Sequence, residues 1–239
     1  MKKSTLLFAL LILGISAMLP SCTKVNGKGP VVSEIREVGN FTKIDFGTTG
    51  RLYYKTGSEH RVEIRAQRNI QDVIEAYVSN GELNLKIRNN TVIHSYETIE
   101  VYIESPAING FKVNGSGDIY ASDPIETNQF YTDINGSGKI DIRELVTPQM
   151  EADVNGSGDI LIRGGSIGNA NLDISGSGDI NMIGCETTEM KTETSGSGDM
   201  RVWVTDKLNA RISGSGSVKY KGNPQVTVKV SGSGKVEPY

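Results

Sequence analysis

Apolar and polar residues alternate along most of this chain with a period of two. Ile44 and Phe46, Leu52 and Tyr54, Val62 and Ile64, Leu83, Leu85 and Ile87, and Ile99, Val101 and Ile103 each fill every second position. Successive side chains of a strand point to opposite faces, so this period predicts half-buried strands. Over residues 68–77 the spacing changes. Ile70, Val73, Ile74 and Tyr77 fall at i, i+3, i+4 and i+7, which predicts one helix of about two turns.

From residue 110 the alternation becomes a repeat. The triplet Gly-Ser-Gly starts at Gly115, Gly136, Gly156, Gly176, Gly196, Gly214 and Gly232, at spacings of 21, 20, 20, 20, 18 and 18 residues. A fixed period of this size marks one structural unit stacked on copies of itself. Apolar parity passes through the triplet without slipping. Val154, Gly156, Gly158, Ile160 and Ile162 share one face, and Leu172, Ile174, Gly176, Gly178, Ile180 and Met182 share another. A tight hairpin at the triplet would make neighbouring strands antiparallel within each repeat. Unbroken parity instead predicts parallel stacking at about 4.8 Å per coil. The expected fold is all-β: a right-handed parallel β-solenoid, or β-helix, with seven coils over 110–239 and an irregular β-rich section over 31–109. Both glycines of each triplet are expected to face inward at a bend, where a missing Cβ permits unusual φ and close backbone approach.

The first residues are of another kind. Lys2 and Lys3 precede a nearly unbroken apolar run from Leu6 to Leu19. That run is short for a membrane span and fits the core of a signal peptide. It ends in Leu19-Pro20-Ser21-Cys22, which resembles a bacterial lipobox. The resemblance implies a signal over 1–21, lipidation at Cys22 and a lipidated tether over 22–30. Acyl chains on Cys22 would hold the protein to the outer membrane, since burial is worth about 0.8 kcal/mol per CH₂. No acidic residue occurs before Glu34, which favours the periplasmic face over the cell surface.

Without Lys2 and Lys3 the chain carries 23 basic against 28 acidic residues, a net charge of −5. That argues against nucleic acid as a partner. Two cysteines and two histidines provide neither a disulfide framework nor a Cys/His metal site. Cys185 is expected to be a small buried hydrophobe.

Parallel stacking turns single residues into stripes. One outward stripe reads Asp133, Asp153, Asp173 and Glu193, then Arg211 and Lys229; another contains Asp159, Asp179 and Asp199. Stacked carboxylates repel one another, and Ca²⁺, which prefers oxygen ligands, would relieve that repulsion. The competing reading is a solvated acidic face with hydrogen-bonded Asn and Ser ladders beside it. Trp203 is the sole tryptophan, and parity points it outward. With Arg163 and Lys221 it is a candidate contact for a glycan or an envelope protein. The pairs Asp153 with Asp159 and Asp173 with Asp179 also admit a glycan-processing lyase or hydrolase. The connections are short, however, and no repeat carries an insertion that would build a pocket. The ends of a solenoid expose strand edges, which makes end-on self-association an expectation as well.

The lipobox, the segment Phe41-Thr42-Lys43-Ile44 and the repeated Gly-Ser-Gly-Asp-Ile together resemble the putative auto-transporter adhesin family, whose unit is the head GIN domain. That resemblance implies a β-helix on a secreted or lipid-anchored bacterial protein and an adhesin-like binding or scaffold role. It supplies no catalytic motif.

Overall fold

A computed structural model describes residues 22–239. The signal segment expected over 1–21 lies outside them. Strand makes up 72% of the structure and helix 2%, arranged as a β-solenoid of about 6 turns. The seven triplets stack corner on corner along it.

In chain order the strands are β1 (Thr23–Asn26), β2 (Val31–Arg36), β3 (Lys43–Gly47), β4 (Arg51–Thr56) and β5 (Arg61–Gln67). A single helical turn, α1 (Arg68–Gln71), precedes β6 (Ile74–Ser79), β7 (Glu82–Ile87), β8 (Thr91–His94) and β9 (Glu100–Ser105). The coils follow as β10 (Gly110–Gly115), β11 (Asp118–Glu126), β12 (Phe130–Gly136), β13 (Lys139–Gly156), β14 (Asp159–Ile162) and β15 (Gly165–Gly176). The last are β16 (Asp179–Gly196), β17 (Met200–Gly214), β18 (Ser217–Lys221), β19 (Gln225–Gly232) and β20 (Lys235–Pro238).

Every strand from β10 onward pairs in parallel with its equivalent in the next coil. The register aligns Val113, Ile134, Val154, Ile174, Thr194 and Ile212 in one inward column. A second column stacks Val101, Leu52, Ile119, Ile140, Ile160 and Ile180. These residues are buried, and each of the apolar ones contributes about 1.5–3 kcal/mol over leaving it exposed. Along β13 the inward buried positions step by two, except between Ile142 and Leu145 and between Thr147 and Met150, where they step by three; Asp141, on the outward face, is buried as well. Those two slips and the Gly-Ser-Gly corner give each coil three short sides. The 18-residue spacings have a local cause. When β17 stacks on β16, the register jumps from Met182–Val202 to Glu186–Trp203, which drops three residues, and β17 regains one between Thr187–Val204 and Glu189–Lys207, a net shortening of two.

The two glycines of a triplet do different work. Gly176 is partly exposed with φ +140, and a Cβ there would lie 2.1 Å from the Gly156 carbonyl oxygen. Gly178 is buried, and its Cβ would meet the Gly158 oxygen at 2.1 Å and Val154 Cγ1 at 2.7 Å. Only the second glycine faces the interior; the first turns the corner. The Ser177 amide between them donates to Gly156 O at 2.8 Å, so the corners stack by hydrogen bonds.

The N-terminal section joins this stack and closes its first end. Strands β3 and β4 pair in parallel with β10 and β11, and β7 and β9 pair with β3 and β4. Beyond them the chain reverses. β6 runs antiparallel to β7, β5 to β9, and β2 to β5. The two-turn helix expected over 68–77 is a single turn, because Ile74 to Tyr77 belong to β6. Asn80 and Gly81, both at positive φ (52° and 75°), form the two-residue connection to β7. Such Asn-Gly turns match the twist of a hairpin. Ile70, Val73 and Ile74 are still buried, but Tyr77 is exposed, as alternation along a strand allows.

The segment expected to be a tether is also structured. Thr23–Asn26 lies parallel to β8. Asn69 Nδ2 donates to Asn26 O at 2.6 Å, the Lys28 amide donates to Asn69 Oδ1 at 2.8 Å, and Gln67 Nε2 donates to Gly29 O at 2.9 Å.

Candidate functional site

The acidic stripes form as the spacing requires. Asp133, Asp153, Asp173 and Glu193 occupy one register, followed by Arg211 and Lys229. Cations meet the stripe at both ends: Lys112 reaches Asp133 at 3.5 Å, and Lys191 and Arg211 reach Glu193 at 3.0 and 3.4 Å. In the middle, burial and then the neighbouring Glu151, Asp133 and Asp173 raise the Asp153 carboxyl above its ordinary range. The second stripe is occupied with backbone. Asp159 Oδ1 accepts from the Asp179 amide at 3.2 Å, Asp179 Oδ1 from the Asp199 amide at 3.0 Å, and Asp199 Oδ1 from the Ser217 amide at 2.8 Å. Among the described residues, no group of three or more His, Cys, Asp or Glu could hold a metal ion. The carboxylates of the second stripe stitch one coil to the next.

Trp203 is half-buried between Val202 and Val204, and Lys221 Nζ lies 3.5 Å from the centroid of its ring. The register pairs Trp203 with Glu186 and Lys221. The Arg163 guanidinium holds Asp141, Nε to Oδ1 at 2.8 Å and Nη2 to Oδ2 at 2.9 Å. The structure brings Trp203 and Lys221 together, while Arg163 is engaged by Asp141. Cys185 is fully buried, and burial, with Glu186 nearby, pushes its thiol up to about 12, so it is not a nucleophile at neutral pH.

Arg163 borders a row that sequence reasoning did not assemble. Tyr102, Tyr53 and Tyr120 share one outward register on β9, β4 and β11. Tyr53 stacks on Tyr102 with centroids 5.2 Å apart and on Tyr120 at 5.7 Å, the planes within 24° and 22°. Each tyrosine stands between two inward apolar residues: Leu52 and Tyr54, Val101 and Ile103, Ile119 and Ala121. At one end Arg65 lies over Tyr102, 4.4 Å from its centroid. On that side a shallow groove of about 460 Å³ includes Lys55, Arg61, Arg65, Glu63 and Glu104 in its wall. On the other side a hollow of about 420 Å³ is walled by Tyr53, Tyr120, Asp141, Arg143 and Arg163, among others. Together the two walls carry five cations and three carboxylates, on a chain whose net charge is −3.

The family described as putative auto-transporter adhesin, head GIN domain, matches residues 40–224. The chain belongs to that family. Among solved structures, this head GIN protein is similar to a putative adhesin from Bacteroides fragilis NCTC 9343, at 25% identity and a TM-score of 0.84, over 90% of this chain and 100% of that one. It is also similar to a putative lipid binding protein from Parabacteroides distasonis ATCC 8503 (19% identity, TM-score 0.76, 91% and 100% covered). A putative adhesin from Parabacteroides merdae ATCC 43184 matches at 23% identity and TM-score 0.73, with 91% and 99% covered. Those last two show the shared fold alone. Comparison with curated proteins gave no match.

Within this head GIN domain, chemistry is easier to place on the tyrosine row than on the stripes. The carboxylates of the second stripe are engaged with amides, and those at the two ends of the first with cations. The row offers ring surface for stacking, guanidinium groups for anions and a rigid backbone beneath both.

Proposed function

We propose that the protein is a non-catalytic, lipid-anchored, adhesin-like module of the Gram-negative outer membrane that binds a glycan or an envelope protein through its outer ladder surface. The observation that carries this reading is the stacked row Tyr102–Tyr53–Tyr120, flanked by a local excess of cations. Half-buried aromatic groups on a rigid sheet contribute contact area at little entropic cost. The adhesin description of the family and of the similar Bacteroides fragilis structure points the same way.

Regularity supports a role without catalysis. Catalytic sites break local rules somewhere in a fold. Here the main departure within the later coils is the shortened corner opposite Ile183–Cys185.

The anchor would be Cys22, which is exposed. Because β1 starts at the next residue and is bonded to the folded body, acyl chains on Cys22 would seat the N-terminal end of the solenoid against the bilayer, with the periplasmic leaflet favoured. The test is fractionation of cells expressing the full chain and its Cys22→Ser variant, with mass spectrometry of residue 22. The wild type should partition with outer membrane and carry acyl mass, while the variant should be released. An unmodified Cys22 in a soluble wild-type protein would overturn the anchor. Any bound oligosaccharide recovered from the protein should keep its original length; shortening would overturn the non-catalytic reading.

A further inference from the structure

We propose that the Tyr120 end of the tyrosine row is a binding site for an acidic, carboxylate-bearing oligosaccharide. This rests on the binding-module reading above and gives it a location and a ligand class.

The two ends of the row differ. At Tyr102 the stack is closed by the Arg65 guanidinium, itself held by Glu63 at 2.9 Å. At Tyr120 the aromatic register stops, because the next position is Asp141. Lys139 at 3.1 Å and Arg163 at 2.8 Å draw that carboxylate against the sheet, leaving its side chain 8% exposed. A short buried residue after a tall aromatic one makes the step that forms the 420 Å³ hollow. The ring stack ends on this hollow with no further aromatic against it.

The hollow also has charge to spare. Arg163 is committed to Asp141. Arg143 is exposed and donates from Nη1 to the Ser122 carbonyl at 3.3 Å, with no carboxylate of the described residues within ion-pair distance. A guanidinium in this state presents its remaining N–H groups to solvent, in the fork geometry that matches a carboxylate.

Ligand shape follows from the backbone. β4 and β11 lie inside the ladder, each paired on both edges. A peptide cannot add as a strand along Tyr120, because β11 is paired there on both edges; the ladder is interrupted only at Ser122 and Asp123. What remains is stacking on ring surface plus one anion contact, which suits a sugar ring packed on Tyr120 with its carboxylate on Arg143.

The experiment is calorimetric titration of the full chain in detergent with hexagalacturonate, with maltohexaose as the neutral probe and hexaglutamate as the anionic peptide. Hexagalacturonate should saturate one site and bind at least about tenfold more tightly than either control. Tyr120→Ala and Arg143→Gln should each weaken it by about tenfold, while Lys229→Gln in the distant basic coil should leave it unchanged. Tyr120→Phe, which keeps the ring, should bind as the wild type and guards against misfolding. Equal binding of maltohexaose, equal binding of hexaglutamate, or indifference to both hollow variants would each overturn the proposal. Failure of hexagalacturonate alongside retention of other glycans or envelope proteins would remove this site and leave the binding module standing.

Discussion

Arg163 grips Asp141 through both arms of its guanidinium, at 2.8 and 2.9 Å, across one step of the ladder. Burial alone would raise the Asp141 carboxyl, but hydrogen bonds from Arg163 and Lys139 outweigh it and hold the group below its ordinary value of 3.8. A depressed carboxylate contributes stability that is present above the unfolded value and lost as pH falls through the folded one. Asp141→Asn should therefore cost about 1–2 kcal/mol at pH 7, with the difference shrinking below pH 3.8. Thermal melts across pH measure this, and identical curves at pH 7 would contradict it.

Asp153 carries the opposite sign. Its carboxyl is raised by burial and by its acidic neighbours, so its charge opposes folding above the ordinary value. Asp153→Asn should stabilise the protein by up to about 1 kcal/mol at pH 7. The gain should fade in acid, as the wild-type carboxyl takes up its proton. Denaturant titrations at pH 7 and pH 3.5 give the comparison.

The two triplet glycines should fail for different reasons. Gly178→Ala drives a methyl into the Gly158 carbonyl and Val154, and Gly176→Ala adds an unfavourable positive φ to its own backbone clash. Each should cost about 2–3 kcal/mol. Ser177→Ala, changing an exposed side chain between them, should stay within about 0.5 kcal/mol.

The interior holds hydroxyls without partners. Thr192 and Thr194 Oγ1 are buried and without a partner among the described residues, in columns that are otherwise apolar apart from Thr132, whose Oγ1 is in the same state. Thr192→Val and Thr194→Val keep the shape and remove an unsatisfied group, so each should stabilise by about 1 kcal/mol. Loss of stability in both would contradict the assigned columns.

How much of this was legible depended on whether a marker fixed the register. Gly-Ser-Gly aligns Asp153 with Asp173 and Trp203 with its coil, so stripes and inward columns could be read directly. Before Gly115 no triplet recurs. Tyr53 and Tyr102 each announce an outward position between apolar neighbours, but only the register between β9, β4 and β11 stacks them with Tyr120. Asn80-Gly81 was the available signal for the β6–β7 hairpin. The helical spacing of Ile70, Val73, Ile74 and Tyr77 competes with it, although three of these residues are buried for other reasons. Arg163 looked like a companion of Trp203 by charge alone; its partner is set by Asp141, one coil earlier.

The most direct test of the whole account is a glycan array probed with the full chain and with a Tyr53→Ala/Tyr102→Ala/Tyr120→Ala variant of matched circular dichroism. The account predicts discrete glycans retained by the wild type, lost by the variant and recovered uncleaved. Retention of the same glycans by the variant would contradict it.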